Sequence, residues 1–126
     1  MDINDLLEKT KFFALRIIVL CKYLVENKNE TVLSQQLLHS GTAVGAHVRE
    51  AVRAQPKADL NVKLNAAFTD ADECAYWLEL LYGTNYLDKE QFVSIYEECK
   101  EIISMILSLT KTPKQIKTVQ EFFRIQ

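Results

Sequence analysis

Apolar and small residues recur in alternating steps of three and four along three stretches of the chain. The first carries Ile3, Leu6, Thr10, Phe13, Ile17, Leu20 and Leu24. The next carries Leu60, Leu64, Ala67, Ala71, Cys74, Leu78 and Leu81, and the last Phe92, Ile95, Cys99, Ile102, Ile106 and Leu109. This spacing is the seam of helices packed nearly antiparallel, at about 20° to one another. A fourth stretch, between the first two, is less regular; Leu33, Leu37, Val44, Val48 and Ala51 form its apolar face. Polar Asn27-Lys28-Asn29-Glu30 separates the first two stretches. Pro56 and Asp59 suit the opening of the third helix, because proline fits a first turn and a carboxylate favours the positive helix end. Gly83 suits a left-handed residue closing that helix, Asp88 with Gln91 forms a candidate capping box, and Pro113 limits the last helix. The pattern predicts helices at 3–27, 31–54, 57–82 and 88–111, followed by a basic C-terminal tail at 113–126. Short links make sequential helices antiparallel neighbours, so the expected fold is an all-α, up-down-up-down antiparallel four-helix bundle over residues 1–112.

Composition narrows this little. With 126 residues one domain is expected, and Gly 3 with Pro 2 is too few for the turns of an all-β fold. A net charge of −2 excludes a uniformly basic nucleic-acid binder. The longest apolar run, Phe12 to Cys21, contains Arg16 and covers half a bilayer at most. The acidic opening Met-Asp-Ile-Asn-Asp lacks the basic start of a secretory signal. Cys21, Cys74 and Cys99 are an odd, scattered set that fits a reducing compartment. The expectation is a cytoplasmic protein without a membrane partner.

Two features exceed what a monomeric bundle needs. The first helix is apolar nearly all round: Phe13, Ile17 and Leu20 point one way, while Phe12, Ile18 and Val19 fall on other faces. A helix of this kind is buried on more than one side, so Phe12, Ile18 and Val19 are expected to form a subunit interface. Trp77 is expected to pack at the bundle or subunit interface, where a large ring with one N–H donor is useful. The second helix carries Gly41 and Gly45 on one face, at a cost of roughly 1 kcal/mol each against alanine. Neither a Walker loop nor a Rossmann turn fits them, since no Lys follows Gly45 and no strand precedes it. Close helix packing is the remaining explanation.

Candidate chemistry is sparse. His47-x-x-Glu50 reverses the order used by di-iron bundles and occurs once, and His39 lies about 80° from His47 around the helix. Glu97, Glu98 and Glu101 match the acidic string of all-α Mg²⁺-dependent nucleotide hydrolases, but no second acidic cluster of that type follows. Cys99 lies on the seam, so these carboxylates are expected to point outward as a solvated face. The thiols, on seam positions, are expected to be buried and inert. No catalytic residue, metal site or cofactor is therefore expected. Glu50 can pair with Arg53 three residues on, or reach across the bundle to fix its register. Lys111, Lys114, Lys117 and Arg124 leave residues 111–126 at +3 after an acidic body, and are the candidate nucleic-acid contacts. Ile116, Val119, Phe122 and Phe123 give the same segment an amphipathic pattern suited to packing on a neighbour.

The run from Leu37 to Ala51 (LLHSGTAVGAHVREA), with Lys63 to Cys74 (KLNAAFTDADEC) and Tyr76 to Leu81 (YWLELL), resembles the signature of the S23 ribosomal protein-like family. Its members are encoded in intervening sequences of bacterial 23S rRNA genes and as free-standing genes. The likeness spans residues 3 to 112 and departs from the usual pattern at His47 and Arg49. It implies a bundle that assembles as a ring-shaped homopentamer without a catalytic motif. It is also similar to the accessory variability protein of diversity-generating retroelements, a pentamer that binds nucleic acid and a reverse transcriptase. The expected function is a non-enzymatic oligomeric scaffold that associates with RNA or DNA or with a nucleic-acid enzyme. The alternatives are a Mg²⁺-dependent nucleotide hydrolase and a protein adaptor without nucleic-acid affinity.

Overall fold

The computed structural model describes residues 2–55 and 58–110. They form four α-helices and no strand: α1 (Ile3–Lys28), α2 (Val32–Val52), α3 (Ala58–Gly83) and α4 (Lys89–Thr110). Each start has a local cause. The Asp2 carboxylate accepts from the N–H groups of Asn4 and Asp5 at 2.9 and 3.1 Å, and the Asp5 side chain accepts in return from the Asp2 N–H. Asp88 and Gln91 exchange the same pair of bonds, at 2.8 and 2.9 Å, to open α4. These reciprocal contacts satisfy donors that a helix start leaves without partners.

Helix α2 starts differently. Thr31 supplies no side-chain cap; the buried Glu30 carboxylate instead accepts from the N–H groups of Leu33 and Ser34, at 3.1 and 2.7 Å. A carboxylate here also faces the positive end of the helix dipole. Replacing Glu30 with alanine is expected to lower stability by about 1 kcal/mol, the usual magnitude for a lost cap, read as a lower midpoint in denaturant unfolding.

One helix end departs from expectation. Gly83 is the last residue of α3 and does not have a positive φ; Asn85, at φ 69°, takes the left-handed conformation. The left-handed residue lies two positions further along than expected, and asparagine tolerates this region better than most side chains. Asn29, at φ 56°, closes α1 in the same way.

Each helix packs against its neighbours in chain order, and α4 also meets α1. The interior is apolar: Leu6, Phe13, Ile17 and Leu24 of α1 meet Leu37, Val44 and Val48 of α2, Leu64, Leu78 and Leu81 of α3, and Ile102, Ile103 and Ile106 of α4. Leu20, Leu60, Phe92 and Leu109, expected on the seam, are only partly buried. The polar residues Ser34, Ser40 and Thr110 are buried instead. Ser40 resolves its burial by donating to the carbonyls of Gln36 and Leu37 in its own helix. Among the described residues, no helix is long and apolar enough to cross a membrane.

Candidate assembly surface

Adjacent phenylalanines show how α1 divides its duties. Phe13 is fully buried, whereas Phe12 is 58% exposed. Leu15 and Val19 follow Phe12 at helical spacing and are 55% and 66% exposed, so a continuous apolar ridge runs along the outside of α1. Leu15 was not among the expected interface residues, although its place three positions after Phe12 marks it. Two grooves flank α1, and the ridge lines the first. One, of about 590 Å³, lies between α1 and α4 and is lined by Phe12, Leu15, Val19, Leu20, Tyr23 and Ile95, among others. The second, of about 430 Å³, lies between α1 and α2 and includes Ile18, Val25 and Leu38 in its wall. Ile18 thus faces a different groove from Phe12 and Val19.

Trp77 lies on the other side of the molecule, on α3. It is partly buried against the core, with the exposed Tyr76 ring edge-on at 5.2 Å. Nearby, Tyr82, Phe92 and Tyr96 stack in series across α3 and α4, with centroid separations of 4.4 and 4.6 Å. The Tyr96 hydroxyl donates to Glu79 at 2.8 Å. Burial, followed by this bond to a carboxylate, pushes its pKa well above the usual phenol value.

The two glycines sit where α2 lies against α1. A Cβ on Gly41 would come within 2.8 Å of Ile17 Cγ2 and 2.9 Å of its Cγ1. A Cβ on Gly45 would meet the Thr10 carbonyl oxygen and hydroxyl at 3.4 Å. Gly41 thus occupies the tighter position.

Glu50 turns to Lys63 of α3, at 2.8 Å, rather than to Arg53. The bond lowers the pKa of the exposed Glu50 and raises that of Lys63. His47 Nδ1 contacts the Asp70 carboxylate on the same α2–α3 side.

The acidic string on α4 is divided rather than uniformly outward. Glu97 and Glu101 are exposed, but the Glu98 side chain is only 14% exposed and faces α1. Its Oε2 lies 3.4 Å from Arg16 and 4.0 Å from Lys9, while Arg16 also donates to Ser94 at 2.8 Å. The expectation that all three carboxylates point to solvent fails here because Glu98 sits beside the seam residue Cys99, and two α1 cations offset its charge. Its Oε1 is buried without a hydrogen-bond partner. Among the described residues, no three His, Cys, Asp or Glu side chains are grouped to hold a metal ion.

All three cysteines are buried and free. Cys21 donates to the Ser34 carbonyl and Cys99 to the Ala71 carbonyl, both at 3.3 Å. Burial, reinforced by the Glu30 charge, pushes the Cys21 pKa up to about 11. A hydrogen bond with Cys99, and then burial, raises that of Cys74. The thiol forms of Cys21 and Cys74 are therefore favoured, and because all three side chains are buried, iodoacetamide at pH 8 is expected to leave them unmodified in the folded protein but to label them in denaturant. The stabilisation linked to Cys21 is complete below pH 9, its ordinary pKa, and is lost as pH rises through about 11. Lys111, Lys114, Lys117 and Arg124 lie outside the described residues.

These features define an all-α protein of four helices with an apolar outer face. The chain belongs to the 23S rRNA-intervening sequence protein family, whose sequence profile it matches over residues 4–108. It is similar to a protein of unknown function from the S23 ribosomal protein family of Bacteroides thetaiotaomicron, known from a crystal structure. The two are 46% identical, with a TM-score of 0.86; the likeness covers 89% of this chain and 100% of that one. No curated protein is detectably similar in sequence.

Proposed function

We propose that this protein is a non-enzymatic scaffold of the cytoplasm, an up-down-up-down bundle that assembles into a homopentamer through α1. The observation that carries the reading is the ridge of Phe12, Leu15 and Val19, three large apolar side chains more than half exposed on one helix face. Such a contiguous patch is favoured at an interface, where apolar area leaves water. Antiparallel topology is supported by cross-helix contacts in which positions rise along one helix as they fall along its neighbour. Gly41 meets Ile17 while Gly45 meets Thr10, and Lys9 meets Glu101 while Arg16 meets Ser94. Five copies is the number that the family resemblance implies. The neutralisation of Glu98 by Arg16 and Lys9 favours a scaffold over a Mg²⁺-dependent hydrolase.

Nucleic acid is the partner class that suits residues 111–126, whose four cations and one carboxylate follow an acidic body. A ring brings several such segments together, and phosphate contacts made in this way weaken as salt displaces them. Filter binding to generic RNA and DNA at rising salt tests this part. Affinity that falls with salt and disappears when the chain is ended at Thr110 supports it. Binding that is absent or insensitive to salt favours an adaptor that contacts protein alone.

A further inference from the structure

A hollow of about 250 Å³ lies on the α2 flank of α1, lined by Leu7 and Lys11 of α1 and by Gly45, Ala46 and Arg49 of α2. The sequence accounts for the gap: Gly45 has no side chain and Ala46 only a methyl group, so α2 contributes little bulk at this level. Both charges that line it are positive. Lys11 and Arg49 are exposed, and neither side chain has an ion pair or a hydrogen bond among the described residues. The carboxylates of these two helices that lie nearby are turned elsewhere. Glu50, the one acidic residue of α2, is held by Lys63 of α3 at 2.8 Å. Asp2 and Asp5 accept from each other's backbone at the start of α1. Glu8 stands at helical spacing from Phe12 and Leu15 on the outer face of α1, forms no ion pair with Lys11 and does not line the hollow. Arg53, one turn beyond Arg49 at the C-cap of α2, offsets the negative end of that helix and adds a third positive charge on the same side.

We infer that this hollow is a phosphate-binding site, in which the Arg49 guanidinium and the Lys11 ammonium meet one oxyanion from two helices. A guanidinium presents a planar pair of N–H donors to two oxygens, and an ammonium reaches a third as a point charge. Two like charges that line one hollow without partners repel each other, and an oxyanion between them converts that repulsion into attraction. The chemistry recognised is that of a phosphate group, whether free or carried in a nucleic-acid backbone. The site belongs to the bundle itself: it requires neither residues 111–126 nor the assembly of copies.

NMR titration of the isotope-labelled full chain tests this, with ionic strength held constant by chloride. One probe is inorganic phosphate; the other is uridylyl-uridine, a dinucleotide whose only charge is its phosphodiester. The expected result is a saturable shift of the Gly45 and Ala46 amides and of the Arg49 side-chain N–H with at least one probe. Lys11→Gln and Arg49→Gln are each expected to weaken that binding by about tenfold or more, the usual effect of losing a hydrogen bond to a charged group. Ala46→Glu, which places a carboxylate in the hollow, is expected to abolish it. All three positions are exposed, and circular dichroism with thermal unfolding establishes that the variants are folded. A response to phosphate alone assigns the site to a free oxyanion, and a response to the dinucleotide assigns it to a nucleic-acid backbone. No saturable shift at these residues with either probe overturns the inference, as does unchanged affinity in Lys11→Gln or Arg49→Gln. Shifts confined to residues 111–126 also overturn it, and leave the role proposed for that segment standing.

Discussion

Phe13→Ala is expected to lower the free energy of unfolding by about 3–5 kcal/mol, the range for removing a buried aromatic ring from a packed core. Phe13 is fully buried, among the largest side chains of the interior, and lies one turn from Ile17. Its loss removes the apolar area that leaves water on folding and opens a cavity that the surrounding helices fill only in part. The adjacent Phe12→Ala is a strict control. At 58% exposure Phe12 contributes little to the isolated fold, so its truncation is expected to fall within about 0.5 kcal/mol for a single subunit. Its effect belongs to association. Urea titrations at low protein concentration measure the first quantity, and the concentration dependence of the midpoint measures the second.

The second large effect is expected at Gly41. Gly41→Ala gains roughly 1 kcal/mol of helix propensity, yet its Cβ would lie 2.8 Å from Ile17 Cγ2 and 3.2 Å from Ile17 Cβ. Ile17 is fully buried and β-branched, so it has few rotamers into which to retreat. Overpacking of this kind costs about 1–3 kcal/mol, which outweighs the propensity gain and gives a net loss. Gly45→Ala, with its nearest contacts at 3.4 Å, is expected to be neutral or slightly stabilising. Ile17→Ala combined with Gly41→Ala is expected to show favourable coupling, because truncating Ile17 removes both γ carbons that the new methyl would strike. Equal losses at the two glycines would contradict this account of the α1–α2 contact.

These two positions also show what the chain discloses unaided. Steps of three and four locate Phe13, Ile17, Cys74 and Ile102 because burial follows helical periodicity directly. Interior glycines mark a close contact for a related reason: their cost to the helix has to be offset by something. The same signals fall short where a side chain acts through a partner distant in sequence. Nothing in the spacing turns Glu50 toward Lys63 or His47 toward Asp70, since both pairs depend on how α2 and α3 are juxtaposed. Glu98 sits in a string that resembles a solvated face, and only the presence of Arg16 and Lys9 on α1 explains its inward turn. Glu30 was missed for a local reason. Thr31 is the commoner type of cap residue, and the longer carboxylate side chain preceding it reaches the same N–H groups. The exposure of Phe12, Ile18 and Val19 was legible, because these apolar residues lie off the seam that faces the core. Their division between two grooves depends on where α2 and α4 flank α1. The proposed role of the basic segment after Thr110 rests on composition alone.

Light scattering coupled to size exclusion over a dilution series tests most directly whether the apolar ridge of α1 joins subunits. The account predicts a discrete particle of five times the 14.5 kDa chain mass, reduced to a single chain by Val19→Lys. A mass of 14.5 kDa at every micromolar concentration would contradict it.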